Sequence, residues 1–533
     1  MRPIIRVLGI GVTAAALVAS SIGIAGAAPV DRDRGYRANV TWAPCPETAD
    51  VECGTIPMPV DWADQGGEKF TLALARRKAT DPAKREGVLF INLGGPGGSG
   101  VDFALVAHRY FSPEVQKRFD IIGIDPRGIA RSTPVMCSLR KLDQRPPFPP
   151  DNQAEFEDLA RFNRELADDC RANTGPLFDH VDTLSVVEDM DALRRSLGER
   201  RITYFGLSYS TLIGQQYAER HGDRIRAMVL DSTMDHSLDT WGFAETEAVA
   251  AEDSFAEFVA WCDRTESCAL HDQDVVKVWH SLLERADRGG LSHPRSSNVI
   301  TSKEIRERAF SDFYGPTWTP LAEFLSVLNE SSTRAASGAA DKPQLTAYPF
   351  PAVFCLDWSL PVRNHREFVA LTSHTNRIAP NMLGSPLGSD AVAACIGRSG
   401  DTVNPQHRLR ITDAPKILML NALHDPATAY AWAVNAHRQS RDATVLLTYE
   451  GWGHGVYDRS DCTRGTTDAY LISLTVPRVG TRCAAVEPTE AQAKGPAAGQ
   501  DLPIGPRDRV PGWLDYAPHN GVTSDDHPYD SHR

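Results

Sequence analysis

The sequence predicts an α/β chain: a mostly parallel sheet with helices on both faces, interrupted by an inserted, mainly helical cap. Three observations predict it. Continuous apolar, β-branched runs alternate with segments of helical periodicity over both ends of the chain. That rhythm breaks from about Ser232 to Arg408, where helix-like stretches rich in Trp, Glu and Ala replace it. And one serine, Ser208, stands between a strand-like run and a helix-like run, in Gly206-Leu207-Ser208-Tyr209-Ser210.

The first residues read as a secretory signal. Arg2 and Arg6 precede the apolar stretch Val7 to Ile24, and Ala25-Gly26-Ala27 fits a cleavage site, so the cut is placed after Ala27. The stretch is rich in Gly, Ala and Ser and is followed at once by Pro29, which makes it a poor permanent membrane anchor. Residues 28–231 form the first part of the core, 232–408 the cap, 409–485 the second part of the core, and 486–533 an extended tail rich in Pro, Gly, Asp and Ala.

Ten cysteines, an even number in an exported chain, favour disulfides. They fall as neighbours: Cys45 with Cys53, Cys137 with Cys170, Cys262 with Cys268, Cys355 with Cys395, Cys462 with Cys483. Spacing alone leaves the connectivity open; neighbour pairing is the simplest reading. The net charge of −13 and the lack of a long basic run argue against a nucleic-acid partner. No H-E-x-x-H or paired C-x-x-C spacing points to a metal, and no cofactor is expected.

In chain order, Asp31 to Asp64 reads as a polar lead-in closed by a small disulfide loop. Lys69 to Arg77 alternates like an outer antiparallel strand. Gly87 to Leu93 is a buried strand running into Gly94-Gly95-Pro96-Gly97-Gly98-Ser99-Gly100. That loop lacks the Gly-Lys-Ser/Thr ending of a phosphate loop. Two readings stay open: a flexible turn, or a loop whose backbone amides approach a reacting oxygen where a side chain would obstruct. Phe119 to Asp125 is the next buried strand, with Asp125 and Arg127 expected to pair and fix the following turn. Gln153 to Arg171 and Thr183 to Leu197 read as helices, and Arg226 to Asp231 as a strand. Beyond the cap, strands resume at Pro415 to Leu420 and Ala443 to Tyr449.

A strand-to-helix turn this sharp demands small residues two before and two after its serine. Gly206 meets the demand, and Ser210 stands where glycine is usual. A serine hydroxyl needs a base, and the base needs an orienting acid, both on loops after late strands. The strand ending in Asn421-Ala422-Leu423-His424-Asp425-Pro426 supplies Asp425. The strand ending in Gly451-Trp452-Gly453-His454-Gly455 supplies His454. The competing readings are Asp425 as a helix cap before Pro426, His424 as base and Asp357 as acid.

Together, Leu93-Gly94-Gly95-Pro96-Gly97-Gly98, Asp125-Pro126-Arg127-Gly128, Gly206-x-Ser208-Tyr209, Asp425-Pro426 and Gly453-His454-Gly455 resemble the secreted tripeptidyl aminopeptidases. These are α/β-hydrolase serine peptidases related to prolyl aminopeptidases. The resemblance implies a Ser208–Asp425–His454 triad and an oxyanion hole made by the amides of Gly95 and Tyr209. The chain departs from the family at Ser210 and at Ala429, where proline is frequent. The expected activity is release of short peptides from free N-termini, with peptides as the partners. An esterase using the same triad and an inactive binding protein are the alternatives. An aminopeptidase must also hold the substrate ammonium with a carboxylate. The cap acids nearest the serine in sequence are Glu245, Glu247 and Glu252.

Overall fold

A computed structural model describes residues 35–292, 299–330, 344–398 and 402–488. The signal segment and nearly all of the expected tail lie outside those residues. From Arg37 on, the described chain clusters into one unit.

The first half lays down β1 (Thr41–Pro44), β2 (Glu52–Pro59), β3 (Lys69–Arg77) and β4 (Gly87–Asn92). It continues with α1 (Gly100–Tyr110), α2 (Pro113–Gln116), β5 (Phe119–Ile124), β6 (Met136–Ser138), α3 (Leu139–Leu142), α4 (Gln153–Thr174) and α5 (Thr183–Ser196). Then come β7 (Ile202–Leu207), α6 (Ser210–His221) and β8 (Ile225–Asp231). A long, mainly helical segment follows, with α7 (Thr240–Arg264), α8 (Val275–Asp287), α9 (Ser302–Tyr314), α10 (Trp318–Glu330), β9 (Leu345–Ala347), α11 (Phe350–Asp357), α12 (His365–Ile378) and α13 (Pro386–Cys395). The alternation resumes with β10 (Ile417–His424), α14 (Tyr430–Gln439), β11 (Thr444–Trp452), α15 (Asp461–Ser473) and β12 (Arg482–Cys483).

Ten strands form one sheet in the order β1-β2-β3-β5-β4-β7-β8-β10-β11-β12. The β1 to β5 side pairs antiparallel, and everything from β5 to β12 is parallel. Every residue of β4, β5 and β7 is buried, as their unbroken apolar runs require of a sheet covered on both faces. Under the sheet Tyr110, Phe111, Phe205 and Tyr457 pack ring to ring at 5.1–5.8 Å. A second core of Phe258, Trp261, Phe313 and Trp318 lies in the inserted helices and takes in Trp452 at the end of β11. The short pair β6–β9 also joins the insertion to the first half of the chain.

Two sequence expectations change. The lead-in is no mere loop: β1 and β2 extend the sheet as an antiparallel ribbon, with Cys45 bonded to Cys53 across it. The alternation was too short there to read against the prolines. And Asp125 and Arg127 do not pair. Arg127 turns away to Asp189 of α5, 2.7 Å from each carboxylate oxygen, and to the carbonyls of Pro59, Val60 and His180. Asp125 instead accepts from Ser99 Oγ (2.6 Å) and from the amides of Val101 and Arg131. Neighbours in sequence on a sharp turn point to opposite sides of it, so each finds a partner on a different element. All five neighbour disulfides are formed.

Candidate active site

Strand register brings the predicted residues to one edge. Asn92 at the end of β4 lies beside Gly206 of β7, and Leu207 lies beside Asp231 of β8. Asp231 in turn pairs with Leu420 of β10, and His424 with Trp452 of β11. The loops leaving β4, β7, β8, β10 and β11 therefore emerge side by side at the carboxyl ends of parallel strands, where ligands bind in such sheets.

Ser208 occupies the left-handed region, with φ of 61°. A non-glycine residue there is strained, and surrounding bonds must hold it. Its amide donates to Asp231 O at 2.9 Å, and its carbonyl accepts from the amide (2.8 Å) and hydroxyl (2.7 Å) of Thr211. Gly206 is obligatory: a Cβ there would stand 2.6 Å from the Tyr204 ring and 2.8 Å from Ser210 O. Ser210, the departure from glycine, is fully buried, and its hydroxyl donates to Asn92 Oδ1. That oxygen also accepts the Gly94 amide at 3.0 Å, while Asn92 Nδ2 donates to Ile124 O. The extra hydroxyl thus ties the elbow to the glycine loop.

The glycine loop presses on the elbow. A Cβ on Gly94 would lie 2.6 Å from Leu207 O and 2.7 Å from the Tyr209 nitrogen. Among the described residues, neither the Gly95 nor the Tyr209 amide has a hydrogen-bond partner. Tyr209 itself is buried, with its hydroxyl donating 2.7 Å to Asp357 Oδ2. Asp357 also accepts from the amide and hydroxyl of Thr183 and from Asn404 Nδ2. Burial lifts the Asp357 carboxyl to about 6. Asp357 therefore steadies the residue after Ser208 and does not meet the histidine.

Asp425 and His454 come together. His454 Nδ1 lies 3.0 and 3.1 Å from the two Asp425 oxygens, and a carboxylate can only accept, so Nδ1 carries the proton. Asp425 is almost wholly buried and accepts four more bonds: from the amides of Ala427 and Thr428, Thr428 Oγ1 and Ser232 Oγ, all at 2.8–3.0 Å. Burial would raise its pKa, but the His454 charge and these donors outweigh burial and hold it below the ordinary value. The amides at Ala427 and Thr428 close a turn on Asp425, while α14 starts only at Tyr430 with Ala429 before it. His454 sits between two positive-φ glycines, its amide donates to Tyr314 O at 2.8 Å, and its ring meets the Tyr314 ring edge-on at 4.9 Å. Among the described residues no hydrogen bond joins Ser208 Oγ to His454. In enzymes without ligand that contact is often long and closes on substrate.

His424, the rival base, points the other way, 2.8 Å from Asp253 of α7. Burial opposes its charge, but Asp253 and Glu257 outweigh that and raise its pKa. Ser232 and Asp231 were missed by sequence reasoning. Ser232 Oγ donates to Asp425 and accepts the Gly455 amide at 2.7 Å. Asp231 carries the Ser208 amide on its carbonyl and the Val456 and Tyr457 amides on its carboxylate. The one available signal was an Asp closing a strand with Ser232 directly after it, which many strands share.

The three cap acids part ways. Glu245 is exposed and pairs with His374 at 3.2 Å. Glu252 accepts from the amides of Asn381 and Met382 and from the Asn381 side chain. Glu247 is fully buried, takes Ser385 Oγ at 2.8 Å on one oxygen and leaves the other without a partner. Burial, and the nearby Asp425 charge, push its pKa well up.

Among known proteins, the family of TAP-like proteins matches residues 381–483, and the alpha/beta hydrolase fold family matches residues 87–320. The serine protease Hip1 of Mycobacterium tuberculosis is 30% identical over 83% of this chain and 91% of its own length. The tripeptidyl aminopeptidase of Streptomyces lividans is 27% identical over 83% and 86%. A carboxylesterase B of Mycobacterium tuberculosis is 29% identical over 82% and 87%. The sheet order, the serine elbow and this similarity along most of the chain agree, and the chain belongs to the α/β-hydrolase serine peptidase family of Hip1 and the tripeptidyl aminopeptidases.

Proposed function

We propose that the protein is a secreted serine exopeptidase that releases short peptides, tripeptides in the first instance, from free N-termini. Ser208 Oγ attacks the scissile carbonyl carbon as His454 Nε2 takes the hydroxyl proton. The resulting oxyanion accepts from the Gly95 and Tyr209 amides. The C–N bond breaks, the leaving amine takes the proton from Nε2, and the acyl group stays on Ser208. Water then attacks with His454 again as base, freeing the acid product and the serine. The observation that carries this reading is the buried, five-fold bonded Asp425 holding His454 Nδ1 at 3.0 Å, with only β8 between its strand and that of the elbow.

Peptides as substrates find support in the serine protease and tripeptidyl aminopeptidase relatives. For the substrate ammonium the support narrows to Glu247, whose second oxygen is free to accept. Burial raises the pKa of this carboxyl, and a cation paired with it would favour the ionised form. Export is supported by the five disulfides. No helix among the described residues is long and apolar enough to cross a membrane. The carboxylesterase relative favours a second reading, ester hydrolysis by the same machinery.

A panel of chromogenic mono-, di- and tripeptides with free and acetylated amines separates the two. The exopeptidase reading expects acetylation of the best substrate to lower kcat/KM by at least about thirty-fold, on the order of 2 kcal/mol. It expects Glu247→Gln to narrow that gap. Equal cleavage of free and blocked peptides, or turnover of acyl esters alone, would rule it out. N-terminal sequencing of exported protein should begin near Ala28.

A further inference from the structure

The amides of Gly95 and Tyr209 belong to different loops, so their spacing depends on what joins those loops. A steric contact and a hydrogen-bonded bridge do so. Gly94 lies so close to the elbow that a Cβ on it would stand 2.7 Å from the Tyr209 nitrogen and 3.0 Å from the Ser210 nitrogen. The bridge adds direction to that packing. Asn92 Oδ1 accepts the Ser210 hydroxyl and, at 3.0 Å, the Gly94 amide. Ser210 directly follows Tyr209, and Gly94 directly precedes Gly95. The bridge therefore ends next to each of the two amides.

Both ends are held. Asn92 closes β4, lies beside Gly206 of β7 and donates from Nδ2 to Ile124 O at 3.3 Å. With Nδ2 on a carbonyl, Oδ1 is turned to the two donors. Ser210 opens α6, and its carbonyl accepts the Tyr204 hydroxyl at 2.9 Å. The Ser210 hydroxyl makes no other hydrogen bond among the described residues. Asn92 and Ser210 are both buried, so the bridge is shielded from competing water. With glycine in place of Ser210, as is usual in the family, Asn92 Oδ1 would hold the Gly94 amide alone, and the loops would meet by packing.

We infer that Ser210 is a positioning residue for the oxyanion hole: its hydroxyl, through Asn92, fixes the Gly95 amide relative to the Tyr209 amide. The inference rests on the serine mechanism proposed above, with those two amides as donors. Donors fixed in advance need no reorganisation as charge develops, and they favour the tetrahedral adduct over the planar substrate. The hydroxyl therefore acts on kcat and leaves KM in place.

Kinetics of Ser210→Ala and Ser210→Gly test it, on trialanine 4-nitroanilide and on 4-nitrophenyl acetate, with trialanine aldehyde as inhibitor. Ser208 Oγ adds to the aldehyde carbon, the hydroxyl proton passes to His454 Nε2, and the aldehyde oxygen becomes the oxyanion. Both variants should lower kcat/KM about ten-fold on both substrates and raise the aldehyde Ki by a similar factor, with the anilide KM unchanged. The acid limb of the kcat/KM profile should stay in place, since the triad is untouched. Asn92→Ala should also slow turnover, and adding Ser210→Ala to it should cost nothing more. Ser210→Gly carries the usual family residue and keeps the test open should Ser210→Ala not fold. The inference is overturned if variants with the parent Tm keep the parent kcat/KM, if kcat/KM falls while the aldehyde Ki stays, if the acid limb moves, or if the Asn92 and Ser210 losses add. Parent enzyme that cleaves the ester but not the anilide would refute the exopeptidase reading alone, and the ester would still report on the hole.

Discussion

The Ser208 amide donates to the carbonyl of Asp231 at 2.9 Å, and the Asp231 carboxylate receives the Val456 and Tyr457 amides at 2.9–3.1 Å. One buried residue therefore braces both the Ser208 turn and the loop that follows His454. Burial, only partly offset by those amides, raises its carboxyl to about 7.

This sets a pH window. Below about pH 4 Asp231 is protonated in both the folded and unfolded chain and adds no pH dependence. Between about 4 and 7 the folded chain keeps a proton that the unfolded chain has lost, so stability falls as pH rises. Asp231→Asn should flatten that slope in urea unfolding measured from pH 4 to 8. An Asn amide must also turn its N–H₂ toward a backbone donor, so a drop in kcat of about ten- to a hundred-fold is expected from a displaced base. A slope unchanged by the substitution would exclude this role for Asp231.

Ser208→Ala should lower kcat by on the order of 10⁴ to 10⁶ with little change in Tm, since a single surface-turn hydroxyl is lost. Asp425→Asn should cost on the order of 10⁴, because an amide facing Nδ1 favours the wrong imidazole tautomer. Steady-state kinetics beside melting curves check both. Asp425 also carries acid sensitivity of its own. Its folded pKa is depressed, so its contribution is present above the unfolded value and disappears as pH falls through the folded one.

His424 and Asp253 make a contact of opposite sign between β10 and α7. The raised folded pKa of His424 makes its contribution complete below the unfolded value of about 6.5 and lost as pH rises through the folded value. Asp253 is partly exposed, so Asp253→Asn should cost only about 0.5 kcal/mol at pH 6 and nothing measurable at pH 9. Denaturant titrations at the two pH values provide the check.

Disulfide removal should scale with the loop closed. Cys355–Cys395 spans 40 residues and Cys262–Cys268 spans 6. Loop-closure entropy then assigns about 4 kcal/mol to the first and about 2 kcal/mol to the second. Paired Cys→Ala variants, compared by chemical denaturation, should rank in that order.

The residues themselves determined the local constructions. The run Ile202 to Leu207, the small residues flanking Ser208 and the helix after it are set within about twenty residues, where apolar period and steric limits act directly. Asp425 and His454 were legible for the same reason, each placed just past an apolar strand. The tertiary structure alone decided what holds them. Ser232 meets Asp425 across 193 positions and Asp357 meets Tyr209 across 148, and such contacts exist only once strand order and register are chosen. The same holds for Arg127, which passes over Asp125 for Asp189, 62 residues away. A charged side chain in a buried turn takes whichever partner the packed elements present, and no spacing along the chain encodes that choice.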